Sequence, residues 1–118
     1  MSQAGLEEEL EPEPSHAGPV LCGEFQRAAE LVGRRWVVEI LWTLGEGPLR
    51  FMQIRRRVPG LSDRLLSQRL QELEREELVA REVDASSRPV RVAYALTSRG
   101  RGLVQVLRHL HGWAHQWV

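Results

Sequence analysis

The stretch over residues 60–74 constrains the fold more than any other part of this 118-residue chain. Leu66, Leu70 and Leu73 recur at three- and four-residue spacing, which predicts an amphipathic helix with one apolar face. Ser62 is a suitable N-cap for that helix, because its hydroxyl can accept a hydrogen bond from a free N–H of the first turn. We therefore expect a capped helix that packs its leucines against a core.

The face opposite the leucines carries hydrogen-bonding side chains and no carboxylate at its centre: Arg64, Ser67, Gln68, Gln71 and Arg75. Surface helices usually mix charges of both signs on their outer face. A row of Arg, Gln and Ser instead offers the bidentate donors and acceptors that read base edges in a DNA major groove. Taken alone, the helix is equally well interpreted as an ordinary solvated amphipathic helix, and its neighbours decide between the two.

The elements on either side of this helix predict a winged helix. Apolar periodicity predicts three earlier helices, over about residues 23–32, 35–45 and 52–57. Two β-branched segments, at 78–83 and 90–96, are separated by a turn-rich link, which predicts a hairpin. A last helix follows, capped by Thr97 or Ser98. We predict a mainly α fold with a small β-hairpin, a winged helix-turn-helix domain with a long C-terminal dimerisation helix.

Charge is distributed unevenly along the chain. Residues 1–18 contain five of the 16 acidic residues and no basic one, so residues 19–118 hold all 16 arginines against eleven acids. We expect an acidic, disordered tail over 1–18 and a mildly basic domain over 19–118, a charge balance that fits polyanion binding. A second interpretation of the tail is an intramolecular decoy for the basic face. The tail lacks a signal-peptide layout and no apolar run is long enough to span a membrane, which predicts a cytoplasmic protein without a membrane partner.

The sequence contains no recognisable enzymatic constellation. It has no Gly-rich phosphate loop and no metalloprotease motif, so we predict no enzymatic activity and no cofactor. His111 and His115 share a helix face, but neither a glutamate beside His111 nor a cysteine completes a ligand set. We therefore predict no metal site.

An ordered series of short motifs resembles the HxlR family of bacterial winged helix-turn-helix transcriptional regulators, which is related to the MarR group. The series covers residues 20–118 and consists of Cys22, Arg34-Arg35-Trp36, Gly47-Pro48-Leu49-Arg50-Phe51, Pro59-Gly60-Leu61-Ser62, Leu66-Ser67-Gln68-Arg69-Leu70, Leu73-Glu74, Leu78-Val79, Val92-Ala93-Tyr94-Ala95-Leu96-Thr97 and Gly100. The resemblance implies a homodimeric repressor or activator that binds a short inverted repeat. The chain departs from the family at Ala93, commonly Glu, and at Gly23, often Pro.

Arginines and polar side chains near the predicted DNA face fall into two groups. For base edges we predict Gln68 and Arg64, with further contacts from Ser67 and Gln71. For the DNA backbone we predict Arg55, Arg56, Arg69, Arg88 and Arg91, since a crossing helix and a hairpin tip meet phosphates first. Individual arginines are also open to interpretation as a solvated face paired with Glu72, Glu74 or Glu76. The rival function is a winged helix used for protein contacts, against which Arg88 and Arg91 argue.

The last helix carries an apolar seam too large for one small domain to cover. The predicted dimer interface consists of Leu103, Leu107, Leu110, Trp113, Ala114 and Trp117. The alternative is that the seam only caps the domain's own core. A dimer would set two recognition helices about 34 Å apart, which matches half-sites one turn apart on double-stranded DNA.

Two features suggest a response to small molecules. Trp36 and Trp42, with Trp113 and Trp117, are candidates to line a pocket for an aromatic effector, although core packing is the favoured interpretation. Cys22 is the only cysteine, so an intrachain disulfide is excluded. It is open to two interpretations: a small buried residue at a helix start, or a sensor of oxidants or electrophiles, as in some members of the family that the chain resembles.

Overall fold

The computed structural model describes residues 22–118. The described part of the chain divides between residues 31 and 32 into two units. In the first unit begins helix α1, Gly23–Val32, which has no buried residue. The predicted acidic tail over 1–18 lies outside the described residues.

The second unit contains four helices and a hairpin, in the order predicted for a winged helix. The elements are α2 (Val37–Leu44), α3 (Phe51–Arg57), α4 (Asp63–Arg75), β1 (Val79–Asp84), β2 (Arg91–Leu96) and α5 (Ser98–Trp117). The prediction of a mainly α winged helix-turn-helix fold with a small hairpin and a long last helix is confirmed. Among the described helices, none combines the length and apolarity needed to cross a membrane.

The core of this unit forms around α2. Four of its eight residues are buried, namely Val37, Ile40, Leu41 and Leu44. This helix contacts α3, α5 and β2, while α4 contacts β1. Burying one such aliphatic side chain stabilises the fold by about 1.5–3 kcal/mol. Helix α2 is therefore the buried element against which α3, α5 and β2 pack.

The hairpin is antiparallel and extends from the pair Val79–Leu96 to the pair Asp84–Arg91. An isolated bridge joins Leu49 to Tyr94 of β2, since the N–H groups of these two residues each donate to the other's carbonyl oxygen. At its base, Gly100 of α5 lies so close to the Leu78 carbonyl that a Cβ would come within 2.1 Å of the oxygen. Glycine is therefore required where α5 begins against the hairpin.

The structure corrects one helix start and decides one cap. Helix α2 begins at Val37 and not near Arg35. Trp36 has a φ of 78°, in the left-handed region, and so it cannot belong to a right-handed helix. Thr97, and not Ser98, is the N-cap of α5, and its hydroxyl oxygen accepts a hydrogen bond from the N–H of Gly100 at 3.0 Å.

Candidate nucleic-acid interface

The start of α4 is fixed by a glycine turn and a hydroxyl cap. Gly60 has a φ of 92°, which a glycine adopts without strain, and it turns the chain between α3 and α4. Ser62 Oγ then accepts a hydrogen bond from the N–H of Leu65 at 3.1 Å. The cap predicted from the sequence is present, and it sets the point from which the side chains of α4 project.

The outer row of α4 is exposed along its length. Arg64, Ser67, Gln68 and Gln71 are all exposed, and their side chains make no hydrogen bond to another described residue. The opposite face buries Leu66, Leu70 and Leu73. The predicted base-reading groups therefore lie together on one face and are available to an external partner.

The arginines of α3 do not pair with the glutamates of α4 or those that follow it. Arg55 forms an ion pair with Asp63 in the first turn of α4, and Arg57 lies 3.4 Å from Glu46. Arg56 is exposed and has no ion pair with another described residue. The α3 pairings with Glu72, Glu74 or Glu76 are thus not found, and Arg56 is the arginine of this helix best placed to meet a phosphate.

Arg69 lies on the flank of α4 and is held within the chain. Its Nε donates to the carbonyl oxygen of Arg35 at 2.9 Å, and its Nη1 lies 3.5 Å from Glu72. Arg34 Nη1 lies 3.2 Å from the same Glu72 oxygen. The pairing of Arg69 with Glu72 agrees with the alternative interpretation of the arginines, and the three-residue spacing on one helix was its signal. The contacts with Arg34 and with the Arg35 carbonyl had no signal in the sequence.

The wing presents two exposed arginines next to an ordered turn. The Nη1 of Arg88 donates to the carbonyl oxygens of Ala85 and Ser87, at 2.6 and 3.0 Å, and Arg91 pairs in register with Asp84. The Ser86 hydroxyl, followed by the Ser86 N–H, holds the pKa of Asp84 below its usual value. Both bonds reach Asp84 Oδ1 and connect this carboxylate to the turn from which the arginines project.

The second half of α5 exposes an apolar surface. Leu110, Trp113 and Trp117 are 54%, 56% and 69% exposed, whereas Leu103 and Ala114 are half-buried. The structure corrects the prediction for Leu107, which is buried in its own chain and leaves little area for a partner. The alternative that this seam only caps the domain's own core holds for Leu107 but not for the exposed residues beyond it.

A cavity of about 520 Å³ lies between α2, the end of α3 and α5. Trp36 and Trp42 both line it, with Val58, Leu107 and His111 among the other lining residues. The Trp42 and His111 rings are 5.0 Å apart between centroids. Trp113 and Trp117 do not line this cavity, so the structure assembles two of the four tryptophans considered for an effector pocket.

Cys22 is exposed at the start of α1. Its Sγ accepts a hydrogen bond from the N–H of Phe25 at 3.4 Å. The interpretation of Cys22 as a small buried residue is therefore not supported by this chain. Among residues 22–118, no group of three or more potential ligand side chains could hold a metal ion.

The comparisons with known proteins agree with this architecture. Residues 31–118 match a family model described as HxlR-like helix-turn-helix. The chain is 40% identical over 98 residues to YvaP, an uncharacterised HTH-type transcriptional regulator of Bacillus subtilis (strain 168), which covers 83% of this chain and 90% of YvaP. The fold of this chain is similar to that of the reduced form of the B. subtilis transcriptional regulator YodB, with a TM-score of 0.77 and 38% identity. The match covers 83% of this chain and 95% of YodB. For the quinone-bound form of B. subtilis YodB the TM-score is 0.73 and the identity 36%, and the match covers 82% of this chain and all of that one.

Proposed function

The chain belongs to the HxlR family of winged helix-turn-helix transcriptional regulators, and we propose that it binds a short inverted repeat in double-stranded DNA as a homodimer. The observation that supports this proposal most is the outer row of α4. A fold of this kind inserts the second helix of its helix-turn-helix pair into the major groove. Here that helix exposes four polar side chains that no other described residue engages.

Within this proposal the polar groups have separate roles. Gln68 and Arg64 are proposed to read base edges, with Ser67 and Gln71 beside them, because Gln suits adenine and Arg suits guanine as bidentate partners. Arg56, with Arg55 in the same helix, and Arg88 and Arg91 in the wing are proposed to contact phosphates. Such contacts fix the position of the protein on the duplex and add affinity without sequence preference.

The proposed dimer interface is the exposed apolar end of α5. Leu110, Trp113 and Trp117 form its centre, with Leu103 and Ala114 at half-buried positions. An exposed cluster of large apolar side chains favours association, because each loses contact with water on burial. Two-fold pairing of this surface would place the two α4 helices for half-sites about one helical turn, or 34 Å, apart.

The first test selects a binding sequence from DNA. The purified protein is incubated with a pool of random duplexes, and the bound fraction is amplified and sequenced over several rounds. We expect an inverted repeat with half-sites about ten base pairs apart. The affinity for this selected duplex is then compared with that for a scrambled duplex of the same length and composition.

Gln68→Ala tests the role of α4 in this recognition. Each bidentate base contact contributes about 1–3 kcal/mol of discrimination, so we expect the ratio of selected to scrambled affinity to fall about tenfold or more. Arg88→Ala is the matched control, since losing a phosphate contact weakens binding to both duplexes and lowers the salt slope by about 0.9. A pool that yields no preferred sequence would overturn the proposal and favour a protein-contact module.

We further propose that an oxidant, an electrophile or a small aromatic molecule regulates this binding. Two features support it: the exposed Cys22 and the cavity lined by Trp36 and Trp42. A relative, YodB, has been solved in a diamide-treated and in a quinone-bound form. With one cysteine per chain, diamide would oxidise two Cys22 thiols of a dimer to a disulfide and be reduced itself, whereas a quinone ring would add one thiolate covalently.

The two routes are separated by variants. We expect diamide to lower the affinity of the wild type for the selected duplex and to leave Cys22→Ser unaffected, because the variant has no thiol. If a quinone acts through the cavity instead, Cys22→Ser keeps its response and Trp42→Ala loses it, since an aromatic ligand needs the ring for stacking. Binding that neither reagent changes in the wild type removes this part of the proposal.

A further inference from the structure

A polar cluster joins the flank of α4 to the turn before α2. It consists of Arg34, the carbonyl of Arg35, Arg69 and Glu72. The Arg69 guanidinium donates to the Arg35 carbonyl at 2.9 Å and to Glu72 Oε2 at 3.5 Å. The same Glu72 oxygen lies 3.2 Å from Arg34 Nη1. Two side chains of α4 are thus bound by two consecutive residues that lie far away in sequence.

The two α4 side chains of the cluster differ from the outer row of the same helix in their exposure, whereas Arg34 is 48% exposed. The Arg69 and Glu72 side chains are only 16% and 21% exposed, whereas Arg64, Gln68 and Gln71 are exposed. Largely buried charged groups hold a defined geometry, unlike ion pairs in full contact with water. Arg69 and Glu72 therefore lie between the leucine face and the outer face of α4, and their contacts connect this flank to the turn before α2.

The turn to which α4 is tied is itself held in place. Trp36 has a positive φ, and the Arg35 guanidinium lies 4.6 Å from the centroid of its ring. The same ring lies against Gly60, where a Cβ would be 3.4 Å from the ring carbon Cη2. The turn before α2 therefore contacts the chain just before α4 begins and the middle of α4.

Base reading demands more of α4 than its leucines can provide. Apolar contacts are not directional, so a leucine face tolerates small rotations of a helix about its axis. Hydrogen bonds to base edges require donor–acceptor distances within a few tenths of an ångström. Directional bonds on the flank are suited to remove this freedom.

We propose that Arg69, Glu72 and Arg34 are positioning residues, which fix the rotation of α4 so that its outer row meets the bases in register. The proposal rests on the proposed DNA-binding function. It replaces, for Arg69, the phosphate contact predicted from the sequence. The two roles have different consequences for binding.

Arg69→Lys separates the two roles of this side chain. Lysine keeps the positive charge that a phosphate contact needs, but it lacks the planar fork that donates to Arg35 and Glu72 together. We expect the affinity ratio of the selected over the scrambled duplex to fall about tenfold, with affinity for the scrambled duplex and the salt slope unchanged. A variant that binds both duplexes as the wild type does would overturn the proposal.

Glu72→Gln gives a second test, because the affinity for the selected duplex should change in opposite directions if Glu72 is only a charge near DNA and if it positions α4. If the carboxylate only stands near DNA, its removal reduces repulsion and strengthens binding to both duplexes. If it positions α4, binding to the selected duplex weakens and binding to the scrambled one does not. Arg56→Gln is the phosphate control, expected to lower the salt slope by about 0.9 on both duplexes. A Glu72→Gln protein that binds both duplexes more tightly than the wild type contradicts the positioning role.

Hydrogen exchange of the free protein tests the cluster without DNA. We expect Arg69→Lys to raise the exchange of amides in residues 33–36 and 64–75 and to leave those of α2 unchanged. Exchange that stays at the wild-type rate in these segments overturns the proposal. If selection yields no preferred duplex, the proposed function fails, and this measurement still decides whether the cluster holds α4.

Discussion

Helices α4 and α5 both place apolar residues at three- and four-residue spacing, yet they bury them differently. In α4 the three leucines of the stripe are buried within the chain. In α5 the stripe is buried at Val104 and Leu107 and exposed at Leu110, Trp113 and Trp117. The same sequence pattern therefore leads in one helix to a complete intramolecular core and in the other to an apolar surface.

The difference follows from the lengths of the packed helices. Helix α5 has 20 residues and α2, against which it packs, has eight, so at 1.5 Å per residue they are about 30 and 12 Å long. The shorter helix cannot cover the longer one. Hydrophobic periodicity thus predicts that a helix buries a face, but it does not tell whether the same chain or a second copy covers that face.

The largest effect is expected at the exposed end of α5. Burying a large apolar side chain contributes about 2 kcal/mol to the free energy of dimerisation. In a two-fold dimer both chains carry the substitution, so this loss occurs twice. Trp113→Ala should therefore raise the dimer dissociation constant roughly a thousandfold, with unchanged helicity of the monomer. Sedimentation equilibrium over a range of protein concentrations measures this.

Gln105→Ala, an exposed polar residue of the same helix, is the matched control and should leave the dissociation constant unaltered. A Trp113→Ala protein that associates like the wild type would show that another surface forms the dimer.

A somewhat smaller effect is expected in the leucine stripe of α4. Leu70→Ala removes a buried side chain and leaves a cavity, so the free energy of unfolding should fall by about 3 kcal/mol. Chemical denaturation, at a concentration where the chain is monomeric, measures it.

In the same experiment Leu110→Ala should change the free energy of unfolding by less than about 1 kcal/mol, because that leucine is half exposed in the chain. Equal losses in the two variants would mean that α5 is covered within its own chain, and the contrast between the two helices would not hold.

Patterns within short segments were sufficient to predict the fold and the faces of α4. Ser62, the leucine stripe and the polar row are local features, and the structure places the cap and both faces as predicted. The start of α2 was predicted wrongly, because the left-handed conformation of Trp36 leaves no periodic signal. The surroundings of Arg69 could not be predicted either, since its acceptor is the backbone carbonyl of a residue 34 positions away.

The sequence by itself determined which elements form and which side of each helix is apolar, since spacing, caps and turn residues act over a few positions. It also carried the series of motifs by which the family was recognised. Only the tertiary structure decided that Leu107 is buried while Trp113 is exposed, that Trp36 and Trp42 share a cavity, and that Arg69 is tied to Arg35. These depend on helix lengths and on contacts between distant residues, which no local pattern encodes.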